Sequence, residues 1–220
     1  MRMLKIACVF WAVLLVSTPA LAAPLKAVAL KGGVYNGNQD YDFGGQKLFS
    51  PDSRWSGTGG LSLEWKFGRR TNFRLLTEAI YMPKDIQQEI IVVDNGGQPT
   101  GETITQSGGL NYLSVPVLAK LQTADQASNL YFLVGFSADF ILNRDHILVF
   151  DDFHKTVISA QVGIGLDNAF TRHIGGLVEF RYIQNVMNAY GGGDLGTDIR
   201  LNSIRQRGFC ILVGVRLLSS

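Results

Sequence analysis

Apolar and polar residues alternate along most of this chain with a two-residue period, the mark of strands whose two faces meet different surroundings. Leu61-Ser62-Leu63-Glu64-Trp65-Lys66-Phe67 is the clearest case, with apolar residues at the odd positions and Ser, Glu and Lys between them. On a helix Glu64 and Lys66 would scatter around the axis; on a strand they share one face. The same alternation sets Phe132, Val134, Phe136, Ala138 and Phe140 against Gly135, Ser137 and Asp139. It sets Ile158, Ala160, Val162, Ile164 and Leu166 against Ser159, Gln161, Gly163 and Gly165. Val178, Phe180 and Tyr182 oppose Glu179 and Arg181, and Phe209, Ile211, Val213, Val215 and Leu217 oppose Cys210, Gly214 and Arg216.

The pattern predicts eight strands, at about 26–36, 57–67, 71–82, 108–121, 129–142, 155–168, 173–184 and 206–218. Three predicted connections are short: 68–70, 122–128 and 169–172. The four between them are long and polar: 37–56, 83–107, 143–154 and 185–205. Strict alternation of short and long connections is the layout of an outer-membrane barrel with tight periplasmic turns and longer outer loops. The expected fold is therefore all-β, an eight-stranded antiparallel up-and-down transmembrane barrel with both termini on the periplasmic side. The run Gln87 to Val93 is apolar enough to extend its hairpin above the membrane.

The first residues support export. Arg2 and Lys5 precede the uncharged run Ile6 to Val16; Ser17, Thr18 and Pro19 break it, and Ala20-Leu21-Ala22 forms a small-residue cleavage site. This order reads as a signal peptide over 1–22, leaving a barrel domain over 23–220. The apolar run is too short for a helical membrane span, which needs roughly 20 residues. Two of the 20 basic residues and none of the 18 acidic ones fall in the signal, so the remainder is formally neutral. Such a chain has no overall field for gathering nucleic acid. Cys210 is the one cysteine beyond the signal, so no disulfide staples the domain.

In a barrel of this class the polar face turns inward. That register gathers Lys31, Glu64, Lys66, Arg74, Glu78, Lys120, Asp139, Glu179, Arg181 and Arg216 in the lumen, from every strand but the sixth. Eight strands leave little space beyond what side chains fill, so these charges are expected to neutralise one another and plug the interior. The outward, lipid-facing band then comprises Leu61, Leu63, Trp65, Phe67, Phe132, Val134, Phe136, Phe140, Val178, Phe180, Ile211, Val213 and Val215. Trp65, Phe67, Phe73, Tyr81 and Phe170 stand near strand ends, where aromatic girdles form.

Four stretches resemble the PorT-like outer-membrane β-barrel proteins, the "porin family" typical of Bacteroidetes. They are Leu110-Asn-Tyr-Leu-Ser-Val-Pro-Val-Leu-Ala-Lys120, Leu130-Tyr-Phe-Leu-Val-Gly135, Leu177-Val-Glu-Phe-Arg-Tyr182 and Gly208-Phe-Cys-Ile-Leu-Val-Gly-Val-Arg-Leu217, with Gly32-Gly33-Val34-Tyr35 a looser match. The resemblance implies fold and location more than mechanism, although some such proteins resemble secretion or gliding components. Pro116 accords with the family pattern, while local physics predicts a bulge where a proline cannot donate to the ladder. The chain departs from the usual aromatic ending of outer-membrane barrels with Leu217-Leu218-Ser219-Ser220.

Chemical motifs are sparse. Gly191-Gly192-Gly193-Asp194-Leu195-Gly196 matches G-x-G-x-x-G, but no helix pattern follows to receive a phosphate. His146, Asp151, Asp152 and His154, with Asp145, fit no metal-ligand spacing, and Asp40, Asp42 and Asp52 lack a calcium-loop pattern. No G-x-S-x-G or H-E-x-x-H occurs, and His173 has no serine partner in sequence. Cys210 reads as a packed lumen thiol. No catalytic residue, cofactor or metal is therefore expected. The leading expectation is a scaffold in outer-membrane lipid that presents four long loops to envelope or secretion proteins. A narrow pore, or a soluble periplasmic ligand-binding barrel with the opposite register, are the alternatives.

Overall fold

The computed structural model describes residues 24–43, 46–49, 52–66, 72–93, 99–123, 128–144, 154–187 and 201–218. The signal segment 1–22, Phe67, most of the 143–154 connection and the 191–196 glycine motif lie outside the described residues. The elements are β1 (Leu25–Phe43), β2 (Gln46–Phe49), β3 (Asp52–Lys66), β4 (Phe73–Val93), β5 (Pro99–Gln122), β6 (Ser128–Arg144), β7 (Thr156–Ala169), β8 (Ile174–Asn185) and β9 (Leu201–Leu218). β2 only folds back on the outer end of β1. The other eight form one antiparallel sheet in the order β1-β3-β4-β5-β6-β7-β8-β9, and β9 pairs with β1. The seam runs from Ala27↔Leu218 to Phe43↔Leu201, so the wall is a closed barrel without a free edge around its girth.

The strands exceed their expected ends, mostly on the side of the long connections. The 83–107 connection is largely strand: β4 and β5 stay paired from Phe73↔Leu121 to Val93↔Pro99 and project as a ribbon. Likewise 37–56 is mostly β1, β2 and the start of β3, and 201–205 belongs to β9. The strand extension expected at Gln87–Val93 falls within β4, whereas the other segments read as connections in the sequence.

Pro83, read as the end of a strand, lies inside β4. The β3–β4 ladder lacks pairs between Gly59↔Tyr81 and Ser53↔Ile86, so the proline's missing N–H coincides with a break. Side chains bridge it: Thr58 Oγ1 donates to the Tyr81 carbonyl (2.6 Å) and Ser56 Oγ to Asp85 Oδ2 (2.6 Å). Pro116 does not form the expected bulge. The β4–β5 register is the same on both sides, at Thr77↔Val117 and Ile80↔Ser114, and the ladder merely drops the pairs opposite Val115 and Pro116.

Side chains alternate strictly between the two faces of the wall. On β8, Leu177, Glu179, Arg181 and Ile183 are buried while Val178 and Phe180 are exposed. Leu61, Phe132, Val134, Phe136, Ile211, Val213 and Val215 stand exposed on the outer surface, and Leu63, Trp65 and Phe140 are half-buried there. Polar and charged groups occupy the interior, the inverse of a water-soluble barrel.

Candidate functional site

The lumen is filled in layers, and the inward face of β4 reads them in order: Arg74, Leu76, Glu78, Ile80, Met82, Lys84. Three ionic layers alternate with two apolar ones. The order follows from the two-residue period, which turns each second side chain of β4 into the same narrow space.

The first ionic layer lies nearest the short turns. Glu64 of β3 receives Arg74 of β4, Lys120 Nζ of β5 at 3.0 Å and Arg216 Nη2 of β9 at 3.0 Å. Asp167 of β7 receives the same Lys120 at 2.6 Å, Arg216 Nη1 at 2.9 Å and Gln122 Nε2 at 3.2 Å. Above it Leu76, Leu118, Tyr131 and Leu133 pack together.

The middle layer is balanced. Lys31 Nζ of β1 donates to Glu78 Oε1 (2.6 Å) and Glu179 Oε1 (2.8 Å). Arg181 grips Glu78 through Nη1–Oε2 (2.5 Å) and Nη2–Oε1 (2.9 Å), and Glu179 through Nε (3.0 Å) and Nη2. Such a two-pronged guanidinium–carboxylate contact fixes direction as well as charge. Tyr131 OH reaches across to Glu179 Oε1 at 2.8 Å. It does so over Gly165, where a Cβ would lie 2.4 Å from the tyrosine ring. The next apolar layer comprises Tyr35, Ile80, Met82, Ile183, Cys210 and Leu212.

The outermost layer centres on Asp139. Ser114 Oγ (2.6 Å) and Ser159 Oγ (2.6 Å) donate to it, and Lys84 Nζ stands 3.3 Å away. Lys84 also donates to Gln206 Oε1 (3.1 Å) and lies 4.4 Å over the Tyr112 ring.

The structure thus brings together Lys31, Glu64, Arg74, Glu78, Lys120, Asp139, Glu179, Arg181 and Arg216. Lys66 has the inward parity but is only half-buried at the rim. Two members were missed from sequence. Lys84 lies past Pro83, where the strand was ended too early. Asp167 continues the inward row of Ser159, Gln161, Gly163 and Gly165 by one step. Its presence corrects the expectation that the sixth predicted strand, now β7, contributes no charge.

The void between Ala27, Ala29, Glu64, Lys120, Glu179 and Arg216 is about 10 Å³, room for about one water molecule. The Gln161 carboxamide is buried and meets no hydrogen-bonding partner among the described residues. Cys210 is fully buried, and Asp40 is paired with Arg207 at 3.3 Å; the side chains of Asp42 and Asp52 lie outside the described residues. Among the described residues no three metal-ligating side chains converge.

No curated protein matches the chain. Solved structures similar to it include Neisserial surface protein A (12% identity over 88% of this chain and 99% of that one, TM-score 0.49). They also include the outer membrane protein OprG from Pseudomonas aeruginosa (11% identity, 87% and 95% coverage, TM-score 0.49). A third is Ail, the attachment invasion locus protein of Yersinia pestis, in complex with a heparin analogue (13% identity, 87% and 98% coverage, TM-score 0.38). The family model for the outer membrane protein beta-barrel domain matches residues 8–205. The closed wall, the outward apolar surface and this match identify the chain as a member of the outer membrane protein β-barrel domain family.

Proposed function

We propose that this outer-membrane barrel is a non-conducting scaffold, exported by removal of residues 1–22, that holds its projecting β4–β5 ribbon and outer connections for other envelope components. The layered lumen carries the reading. Ionic and apolar layers cross the bore, and the void among Ala27, Glu64, Lys120 and Arg216 has room for about a single water. A rigid, plugged cylinder suits the display of fixed outer segments better than the passage of solutes. The register also disfavours a soluble ligand-binding barrel, which would need Glu64, Glu179 and Arg181 outside; all three are buried.

Within the family, the stretches Leu110–Lys120, Leu130–Gly135, Leu177–Tyr182 and Gly208–Leu217 favour the PorT-like branch typical of Bacteroidetes. That resemblance makes secretion or gliding components the partners of choice.

Planar-bilayer recording tests the reading directly. The purified protein should insert, migrate in its heat-modifiable form on gels, and give no resolved current steps at voltages of either sign. Regular current steps from protein of that folded form would replace the scaffold with a narrow pore.

A further inference from the structure

On the outer wall, a groove of about 690 Å³ crosses β1, β9, β8 and β7. That is within the usual range of specific small-molecule sites, roughly 300–1,000 Å³. The outward Gly32 opens it, and a second outward glycine, Gly176, carries the Phe170 ring. Gly32 pairs with Val213, and Gly176 pairs with Val215. Leu30, Leu166, Phe170, Val178, Val213 and Val215 stand around the resulting depression. The groove lies toward the short-turn end, with Phe170 at the β7–β8 turn beside Gly176.

The rim beneath this groove is basic. Leu218, at the end of β9, pairs with Ala27 on one side and donates its N–H to the His173 carbonyl on the other (2.8 Å). Lys26 and the exposed Arg172–His173 turn therefore flank the same strand end. The carboxylates described at this end are Glu64 and Asp167, and both turn inward onto Arg74, Lys120 and Arg216. The outer surface here thus joins an apolar furrow to positive charge with no exposed acid among the described residues.

We propose that this groove holds one anionic glycerophospholipid of the periplasmic leaflet, an acyl chain over Gly32 and along the Phe170 ring that covers Gly176, and the headgroup phosphate against Arg172 and His173. The inference rests on the outer-membrane placement of the barrel. A smooth wall would meet only exchanging lipid. A furrow lets one chain contact the wall on several sides, and the basic rim selects for negative charge.

The test is native mass spectrometry of the full barrel, reconstituted in vesicles of equal phosphatidylglycerol and phosphatidylethanolamine and then released in mild detergent. The wild type should retain one phosphatidylglycerol. Gly32→Leu should retain none; an added Cβ there meets nothing within 4 Å, so the leucine fills the furrow without disturbing the wall. Arg172→Gln should lower the preference for phosphatidylglycerol about fivefold. Equal retention by Gly32→Leu, retention of the two lipids in vesicle proportion, or a dimer covering the groove would each overturn the proposal. Heat-modifiable migration is scored on every sample. A wild type that never enters vesicles would refute the membrane placement itself, whereas an inserted barrel that keeps no lipid refutes only the site.

Discussion

Arg181 and Glu78 join opposite walls of the barrel: they stand on β8 and β4, four strands apart around a ring of eight, with contacts of 2.5 and 2.9 Å. Lys31 and Glu179 complete a buried quartet of two cations and two anions. Each carboxylate is held from more than one strand, so the quartet acts as a cross-brace as well as a plug.

Removing one member leaves its partners charged and unpaired. Arg181→Ala should destabilise the barrel by about 3–5 kcal/mol, read as the urea midpoint of folding in vesicles. The double replacement Glu78→Leu with Arg181→Met should recover much of that loss, because an apolar substitute for a buried pair is often neutral or better. A double variant as unstable as the two singles combined would show that the cross-brace has no apolar substitute.

Gly165 gives Tyr131 its path to Glu179. Gly165→Val should displace the ring and lower stability by about 1–3 kcal/mol, as overpacking does. The same change in a Tyr131→Ala background should be milder. Equal penalties in the two backgrounds would mean that the valine clashes elsewhere.

Gln161 contributes a buried amide without a hydrogen-bonding partner among the described residues. Gln161→Met should leave the urea midpoint unchanged or raise it, since an unsatisfied buried polar group costs about 1–3 kcal/mol. A clear loss of stability would reveal a hydrogen-bonding role for the amide.

Val134 is exposed on the outer wall, whereas Phe73 lies at the start of β4 by the short turns. Val134→Arg should cost about 2–4 kcal/mol near the membrane midplane, and Phe73→Arg about 0–1 kcal/mol nearer the interface. Equal effects on the vesicle-folding midpoint would contradict a lipid-facing band on β6.

Cys210 lies fully buried in the apolar layer between Tyr35 and Leu212. A maleimide should leave it unlabelled in the folded barrel and label it once urea opens the lumen. Rapid labelling of the folded form would show that solvent reaches that layer.

Much of this architecture can be read from the chain because a barrel wall imposes a period of two on every strand it contains. Glu64, Glu179 and Arg181 are assigned to the interior by parity alone, and Val134, Val178 and Val213 to the exterior. The spacing of short and long connections sets the number of strands and which end carries the tight turns. The alternation read from sequence stops at Pro83, so Lys84 and the continuity of β4 through the proline are lost to it, although the strand extension at Gln87–Val93 is legible. Parity also does not say which charges meet. Arg181 is 103 residues from Glu78, and Glu64 is 152 from Arg216. Those pairings depend on strand tilt and stagger, which place side chains from opposite walls at one height. The furrow over Gly32 likewise exists only where the seam between β9 and β1 brings distant strands side by side.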